Sequence, residues 1–436
     1  MRKISAMLSG FIGFLIYNNA FAILNLELTR GVAGAVPIAI SPFAGGTAGE
    51  NISNVVTNDL QTSGRFKVYG RDNLTSRPTN ADNVEFGYFK NLPTDDLVVG
   101  KVDALGGDRY EVSFQLIDVA RGKDQGGHQA VLMTQKFTVP GNQLRSVAHH
   151  ISDLVYQQIL GVRGVFSTRL AYVVVQRNPG STRYLLEVAD ADGFNPQPLL
   201  NSPDPIMSPA WSPNGRQIAY VSFENQRASI YVEDVASGAR HLVSQTKGIN
   251  GAPAWSHDGR KLAVVLSKDG SPNIYVLDLA SRSLKQVTHD WAINTEPAWS
   301  PNGNILVFTS TRGGGPQIYQ VNLATNAISR VSYDGDYNAR ASFTSDGNHI
   351  AMLHREGGIY NIGMLDLDTG SFHLLTSTGT DDESPSIAPN GSMVMFGTLY
   401  NGRSVLGMVS SDSKVQMRLP ARNGDVQDPA WSPFLS

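Results

Sequence analysis

The short sequence Pro-Ala-Trp-Ser recurs at a fixed spacing in the second half of this chain. Its tryptophans are Trp211, Trp255, Trp299 and Trp431. The first two intervals are 44 residues long, and the third is three times as long. Steps of 44 residues also reach Phe343 and Ile387, which complete six positions in constant phase. A period of roughly 40–45 residues is typical of a propeller blade, so the repeat constrains the fold more than any other feature.

Other landmarks keep the same phase and predict four short strands in each repeat. An apolar strand opens at Ile218, Leu262, Leu306, Ile350 and Val394. Between Trp211 and Ile218 lies Ser212-Pro213-Asn214-Gly215, a tight turn in which proline suits the second position and glycine tolerates the fourth. The aromatic or aliphatic residue at the repeated position is predicted to pack between neighbouring blades and not to bind a ligand.

The repeats predict a six-bladed β-propeller over residues 165–436. The inner strand occurs six times, and Leu170-Ala171-Tyr172 supplies a sixth copy of the strand that follows it. The chain therefore enters on a second strand and ends on an inner strand. We predict that the C-terminal strand 429–434 completes the first blade, which leaves no open edge in the ring.

The region before the repeats predicts a smaller α/β domain over residues 35–163, so the fold class is mixed. Strands are predicted at Val36–Ile40 and Phe66–Tyr69. Apolar residues at helical spacing predict helices within Asn51–Leu60 and Gln143–Leu160, with strands between them at 97–102 and 110–119.

The first 22 residues predict a cleaved signal peptide. A basic start is followed by an apolar stretch and by Ala20-Phe21-Ala22, where small residues suit a signal peptidase. The stretch is shorter than the roughly 20 residues needed for a bilayer span. The chain has no cysteine and a formal charge of −3, so disulfides and thiolate metal sites are excluded and no basic footprint for nucleic acid is present.

Motifs for covalent chemistry are missing, and we predict that the protein is not an enzyme. The sequence has no Gly-x-Ser-x-Gly and no His-Glu-x-x-His. His149-His150 is interpreted as a solvated helix edge and not a metal site. Asp190-Ala191-Asp192-Gly193 resembles the start of a calcium loop but lacks its later ligands, so a turn is favoured. No cofactor and no metal are predicted.

With both regions considered, the chain resembles the TolB family of periplasmic Tol–Pal proteins. The resemblance rests on Asn-Val-Val-Thr-Asn-Asp-Leu at 54–60, on Ser63-Gly64-Arg65-Phe66, and on the junction from Gly161 to Tyr172. It implies a periplasmic monomer that contacts membranes only through its partners. One implied partner is Pal, the peptidoglycan-associated lipoprotein, and the other is TolA. Together they maintain outer-membrane integrity and help the membrane invaginate during cell division.

The resemblance also implies two partner-binding sites. A mobile N-terminal segment, residues 23–34, would bind TolA and precede the first folded strand. Its predicted contact residues are Ile23, Leu24, Asn25, Leu26, Glu27, Leu28, Thr29 and Arg30. The propeller mouth would bind Pal. Its predicted contact residues are Ile249, Asn250, Gly251, Ala252, Asn294, Thr295, Glu296, Asn338, Arg340, Asp382, Glu383 and Asp428.

A second function class stays open, namely an exported propeller that binds a small glycan or peptide in its central channel. The residues of the mouth discriminate between the two. Amides and charges of both signs suit a polar protein interface, whereas a sugar site would more often carry stacking aromatic side chains.

Overall fold

The structure, a computed structural model, describes residues 26–122, 130–377, 379–420 and 423–435. The predicted signal peptide lies outside that part of the chain. A six-bladed β-propeller follows an N-terminal α/β domain, which confirms the predicted fold class. Within the described ranges, no helix is both long enough and apolar enough to cross a bilayer.

The α/β domain contains one five-stranded sheet and three helices, preceded by a short strand. The elements are β1 Glu27–Arg30, β2 Val36–Ile40, α1 Gly46–Thr62, β3 Phe66–Tyr69, α2 Phe86–Lys90, β4 Asp96–Gly106, β5 Arg109–Asp118, β6 Val131–Pro140 and α3 Leu144–Leu160. Single 3-10 turns lie at Arg71–Asn73, Ala81–Asn83 and Gly141–Gln143. The sheet order is β3-β2-β4-β5-β6, with β2 parallel to β3 and β4 and the other pairs antiparallel.

The two long helices pack against each other on one face of this sheet because each has an apolar stripe. Helix α1 buries Ile52, Val56 and Leu60, and α3 buries Ile151 and Val155. The opposite face is covered by a second apolar cluster that includes Phe89 of α2. Both long helices were predicted, whereas α2 and the edge strand β6 were not.

The propeller strands follow in chain order. Blade 1 begins with β7 Arg169–Asn178, β8 Ser181–Asp190 and β9 Gln197–Ser202. Blade 2 contains β10 Ile206–Trp211, β11 Gln217–Ser222, β12 Ser229–Asp234 and β13 Arg240–Ser244, with a 3-10 turn at Glu224–Gln226. Blade 3 contains β14 Asn250–Trp255, β15 Lys261–Leu266, β16 Asn273–Asp278 and β17 Leu284–Gln286. Blade 4 contains β18 Asn294–Trp299, β19 Ile305–Ser310, β20 Gln317–Asn322 and β21 Ile328–Arg330.

The last two blades and the closing strand complete the ring. Blade 5 contains β22 Tyr337–Phe343, β23 His349–Glu356, β24 Ile359–Asp366 and β25 Phe372–Leu374. Blade 6 contains β26 Glu383–Ile387, β27 Met393–Tyr400, β28 Arg403–Ser410 and β29 Gln416–Leu419. The final strand, β30 Asp425–Trp431, pairs antiparallel with β7 and is the inner strand of blade 1. Residues from the two ends of the propeller therefore share one sheet.

The repeated tryptophans join neighbouring blades, as the sequence predicted. The indole Nε1 of Trp255 donates a hydrogen bond of 3.1 Å to Ala210 O, and that of Trp299 donates one of 3.0 Å to Ala254 O. Each bond crosses from one inner strand to the inner strand before it. Trp431 differs, since its Nε1 donates to Thr168 Oγ1 at 2.8 Å.

The tight turn after each inner strand has the conformation that its residues predict. Gly215 has φ +67° and the equivalent Gly391 has φ +72°, a left-handed conformation that glycine adopts without steric cost. Together with the tryptophan positions, these turns surround a cavity of about 800 Å³ at the end of the channel where the inner strands finish.

Candidate functional site

A ring of six bulged residues surrounds the other end of the channel, where the inner strands begin. One residue of each inner strand has a left-handed backbone with φ between +43° and +53°, and the strand register shifts beside it. These residues are Ser208, Ala252, Glu296, Arg340, Ser384 and Asp428. They are spaced 44 residues apart and line one cavity of about 330 Å³, which we call the channel mouth.

The bulges are strained positions, since a left-handed backbone costs a non-glycine residue roughly 1–2 kcal/mol. A bulge of this kind re-aims its side chain out of the regular alternation of a strand. Because every inner strand carries one at the same place, the fold directs six side chains toward a common axis. The arrangement is therefore suited to presenting a defined set of polar groups at the mouth.

Charges of both signs meet across this ring. Arg340 Nε donates to Glu296 Oε1 at 2.9 Å, and Arg340 Nη1 lies 3.4 Å from Asp428 Oδ1. Ser384 Oγ donates to the same Asp428 oxygen at 3.1 Å, and Thr309 Oγ1 donates to Glu296 Oε2 at 2.8 Å. Burial disfavours the guanidinium charge, but the two carboxylates outweigh it and raise the pKa of Arg340. One arginine thus connects blades 4, 5 and 1.

Thr295 is half-buried beside this network and lines the same cavity. Within the described part of the chain its hydroxyl forms no hydrogen bond. Of the predicted mouth residues, Ala252, Thr295, Glu296, Arg340 and Asp428 are brought together here, and Gly251 precedes Ala252 on β14.

Four other predicted mouth residues have a different role, because they are fully buried. These are Asn250, Asn294, Asn338 and Asp382. The amide nitrogen of each asparagine donates to a group four residues upstream, at Thr246 O, Asp290 Oδ1 and Asp334 O. Asp382 accepts a 2.6 Å bond from Thr398 Oγ1. These side chains hold the crossing loops in place, and the structure buries them instead of exposing them at the mouth.

The rim outside the ring is partly apolar. Trp291 is 90% exposed, Ile293 50% and Ile249 48%. Ile249 and Ile293 occupy equivalent positions in successive blades, and Glu383 is exposed further around the ring. Ser208 was missed from the sequence, although stepping by 44 residues from Glu296 would have found it.

The N-terminal segment is attached to the outer edge of blade 6. Strand β1 pairs antiparallel with β29. Arg418 Nη2 lies 3.0 Å from Glu27 Oε2, and Thr29 Oγ1 donates to Gln416 O at 3.0 Å. Leu26 and Val32 pack against the core of blades 6 and 1. Ile23, Leu24 and Asn25 lie outside the described residues.

This segment was predicted to precede the first folded strand, and that was wrong, since it forms a strand of its own. All four residues of β1 are exposed, so no apolar alternation marked it in the sequence. Its attachment depends on backbone pairing with an edge strand, on one surface ion pair and one side-chain hydrogen bond, and on the packing of Leu26 and Val32 at either side of the strand. The ion pair itself contributes little, because it is exposed.

The expectation of a solvated edge at His149-His150 also fails. His149 is 3% exposed, and its Nδ1 lies 2.8 Å from Asp59 Oδ2. Burial alone would lower the pKa of His149, but the Asp59 carboxylate reverses that effect and raises it. Ser152 Oγ donates to the same carboxylate oxygen at 2.7 Å. The group joins α1 to α3 and lies next to blade 1.

Both regions of the chain match family models. Residues 24–125 match the TolB amino-terminal domain, and residues 156–435 match the TolB beta propeller domain. A solved structure of TolB from Acinetobacter baumannii aligns with a TM-score of 0.85 and 38% identity, over 94% of this chain and all of that one.

Curated relatives are similar over a shorter stretch. The Tol-Pal system protein TolB of Coxiella burnetii is 52% identical over 239 residues, which is 53% of each chain. That of Nitrosococcus oceani is 45% identical over 253 residues, or 57% of each. The chain thus spans about half the length of the curated relatives it matches.

Proposed function

Because this chain belongs to the TolB family of Tol–Pal system proteins, we propose that it is a periplasmic scaffold without enzymatic activity. The proposed role is to link the energised inner-membrane Tol complex, through TolA, to the lipoprotein Pal of the outer membrane. This link serves outer-membrane integrity and invagination at division. One observation carries the proposal most directly: the chain offers a polar channel mouth and, separately, an edge-docked N-terminal strand.

The channel mouth is the proposed site for Pal. Its centre carries hydrogen-bonding groups at Thr295, Glu296 and Arg340, and its rim carries exposed apolar side chains at Trp291 and Ile293. An apolar contact area combined with specific polar groups is the usual composition of a protein interface. Both carboxylates of the network are held by Arg340, which supports binding over acid–base catalysis.

The N-terminal strand is the proposed site for TolA. A segment that binds a partner must first leave its place on the protein, and the energetic cost of leaving should be small. Strand β1 itself adds little to that cost because its residues are exposed and its ion pair, Glu27 with Arg418, is at the surface. Surface pairs of this kind contribute about 0–1 kcal/mol. The apolar contacts of Leu26 and Val32 must also be broken on release.

The alternative of a glycan bound in the channel has less support. The described residues that line the mouth cavity include no aromatic side chain on which a sugar ring would stack. Trp291 is an aromatic residue of the kind that stacks on a sugar ring, but it lies on the outer rim and is 90% exposed.

The test is calorimetric titration of the soluble domain of Pal into the mature protein and into Thr295→Ile. We expect the variant to bind about 5- to 150-fold more weakly, since a buried hydrogen bond worth about 1–3 kcal/mol would be lost. Thr325→Ile is the matched control, because Thr325 is an exposed threonine at the outer turn of the same blade.

Melting curves for both variants separate binding from folding. The proposal predicts unchanged melting for each. Wild-type affinity in Thr295→Ile would show that Pal does not use this face of the propeller. Equal weakening by Thr325→Ile would show that the effect is not local to the mouth.

A further inference from the structure

A cleft lies between helix α3 of the α/β domain and the first blade of the propeller. It has a volume of about 520 Å³, within the range of small-molecule sites. Its basic lining groups are Arg163, Arg169 and His150, and its hydroxyl groups come from Ser146, Ser167 and Thr168. None of these residues belongs to the channel mouth or to the docking site of strand β1.

The two arginines of this cleft form no ion pair within the described part of the chain, although Asp190 of the same lining interacts electrostatically with Arg169. Among the described residues, neither Arg163 nor Arg169 forms an ion pair or a side-chain hydrogen bond. Arg163 stacks on the ring of Phe434, with its guanidinium carbon 4.0 Å from the ring centre. Stacking fixes the plane of a guanidinium and leaves its N–H groups available at the edge. Asp190, the acidic residue of the lining, forms an ion pair with Arg145, whose Nε lies 3.3 Å from Asp190 Oδ2.

A buried nitrogen without a partner lies in the same wall. The side chain of His149 is 4% exposed and lines the cleft, and its Nε2 has no hydrogen-bond partner. Nδ1 of the same ring is held by Asp59, which does not line the cleft. Nε2 is therefore on the side of the ring away from Asp59. Buried polar atoms are nearly always paired, so this nitrogen indicates a missing ligand or water.

A cation is the less suitable occupant. Asp59, His149 and Asp192 come within 4.8 Å of one another, as metal ligands do. However, Arg145 Nη2 already donates to Asp192 Oδ2, so a guanidinium supplies the positive charge there. Among the described residues of the lining, the charged groups without an ion pair are the donors Arg163 and Arg169, and charged donors around a cavity favour an anion.

We propose that this interdomain cleft binds an oxyanion, the phosphate or carboxylate group of a small molecule. Arg163 and Arg169 supply charged donors, and His149 Nε2 supplies a third contact. Because Arg169 belongs to the propeller and His149 to the α/β domain, a bound anion connects the two domains. Among the described residues, the cleft shares none with the proposed sites for Pal and TolA, so the proposal does not rest on the binding of either partner.

The test is titration of the full mature chain with inorganic phosphate, at neutral pH and constant ionic strength, followed by calorimetry and by melting curves. A parallel titration with acetate distinguishes a carboxylate site from a phosphate site. We expect saturable binding of one of the two and a higher melting temperature in its presence. Arg169→Gln and Arg163→Gln should each weaken binding roughly tenfold or more, since each removes a charged hydrogen bond.

Arg183→Gln is the matched control. Arg183 is exposed near the start of β8, the opposite end of that strand from Asp190, and its removal changes the net charge equally. Melting curves without anion show whether each variant folds. Arg169 is exposed, so its replacement should leave the fold intact even if the loss of Arg163 disturbs the contact with Phe434.

Two outcomes would overturn the proposal. The first is the absence of saturable binding for both anions. The second is an equal loss of binding in Arg183→Gln, which would indicate general charge screening.

Discussion

Replacing Trp431 tests whether the closing strand holds the propeller together. Its side chain is 7% exposed and packs in the cluster shared by blades 6 and 1. A buried aromatic side chain removes about 150–250 Å² from water, worth roughly 4–6 kcal/mol at about 25 cal/mol per Å². Large-to-small replacements of buried aromatics cost about 3–5 kcal/mol. We therefore expect Trp431→Ala to lower the free energy of unfolding by about 4 kcal/mol.

A second variant separates packing from hydrogen bonding. Trp431→Phe keeps a buried ring but removes the donor to Thr168 Oγ1, so it should cost only about 1–2 kcal/mol. Trp291→Ala is the matched control, because Trp291 is 90% exposed and its loss should change stability by less than about 0.5 kcal/mol.

The assay is far-UV circular dichroism during heating and during guanidinium titration. For a domain of this size, about 4 kcal/mol corresponds to a drop of roughly 8–16 °C in the melting temperature. A drop in Trp431→Ala no larger than in Trp291→Ala would refute the argument from burial. Equal costs for Trp431→Phe and Trp431→Ala would show that the hydrogen bond, and not the packing, sustains the closure.

Two further predictions concern charged groups. Burial and the neighbouring Asp118 and Asp95 raise the pKa of Asp96 to about 6, so the folded state holds this proton more tightly than the unfolded state and stability falls as pH rises from about 4 to about 6. Asp96→Asn should therefore be more stable than wild type by about 1–2 kcal/mol at about pH 7.5, and nearly equal in stability at about pH 4. Unfolding free energies of the variant and the wild type that change in parallel with pH would contradict this. Arg418→Gln removes the ion pair with Glu27, so hydrogen exchange in strand β1 should become roughly two- to fivefold faster by mass spectrometry. Unchanged exchange would show that the ion pair does not help to hold the strand.

The repeat predicted the blades well because an inner strand must place an apolar residue at the same depth in every blade. Trp211 and Trp431 are buried as that argument requires, whereas the equivalent residues of the other blades, Trp255, Trp299, Phe343 and Ile387, are half-buried. The period could not show that the tryptophans also surround a cavity, because the width of the channel depends on how six blades assemble.

The mouth was only partly predictable. Polarity and position indicated Glu296 and Arg340 correctly as residues of the opening, but the same reasoning included Asn250 and Asn294. The two asparagines differ from the charged residues in what they bond to. Each asparagine donates a hydrogen bond to its own loop four residues upstream, and the composition of the sequence does not reveal such a local contact. The left-handed backbone of the ring was also hidden, since the residues that adopt it share no side-chain type.

Contacts between distant segments were the least predictable. Strand β1 has no apolar pattern, since an edge strand is held mainly through its backbone. His149 lies on a predicted helix, but its partner Asp59 is 90 residues away in sequence. The apolar stripe of one helix does not indicate which buried polar side chain of a second helix will contact it.

The pairing of β30 with β7 sets the order in which this protein can be completed during its synthesis. Strand β7 is made early, and it must wait for almost the entire propeller before its inner neighbour exists. Until then blade 1 has an exposed edge, and unpaired edges of this kind promote association between chains. Closing so long a loop is also slow, because its entropy must be overcome before the final pairs form. A nascent chain should therefore depend on protection by a chaperone until β30 is available to pair, and a truncation that removes Asp425–Trp431 would prevent closure of a propeller that is otherwise complete.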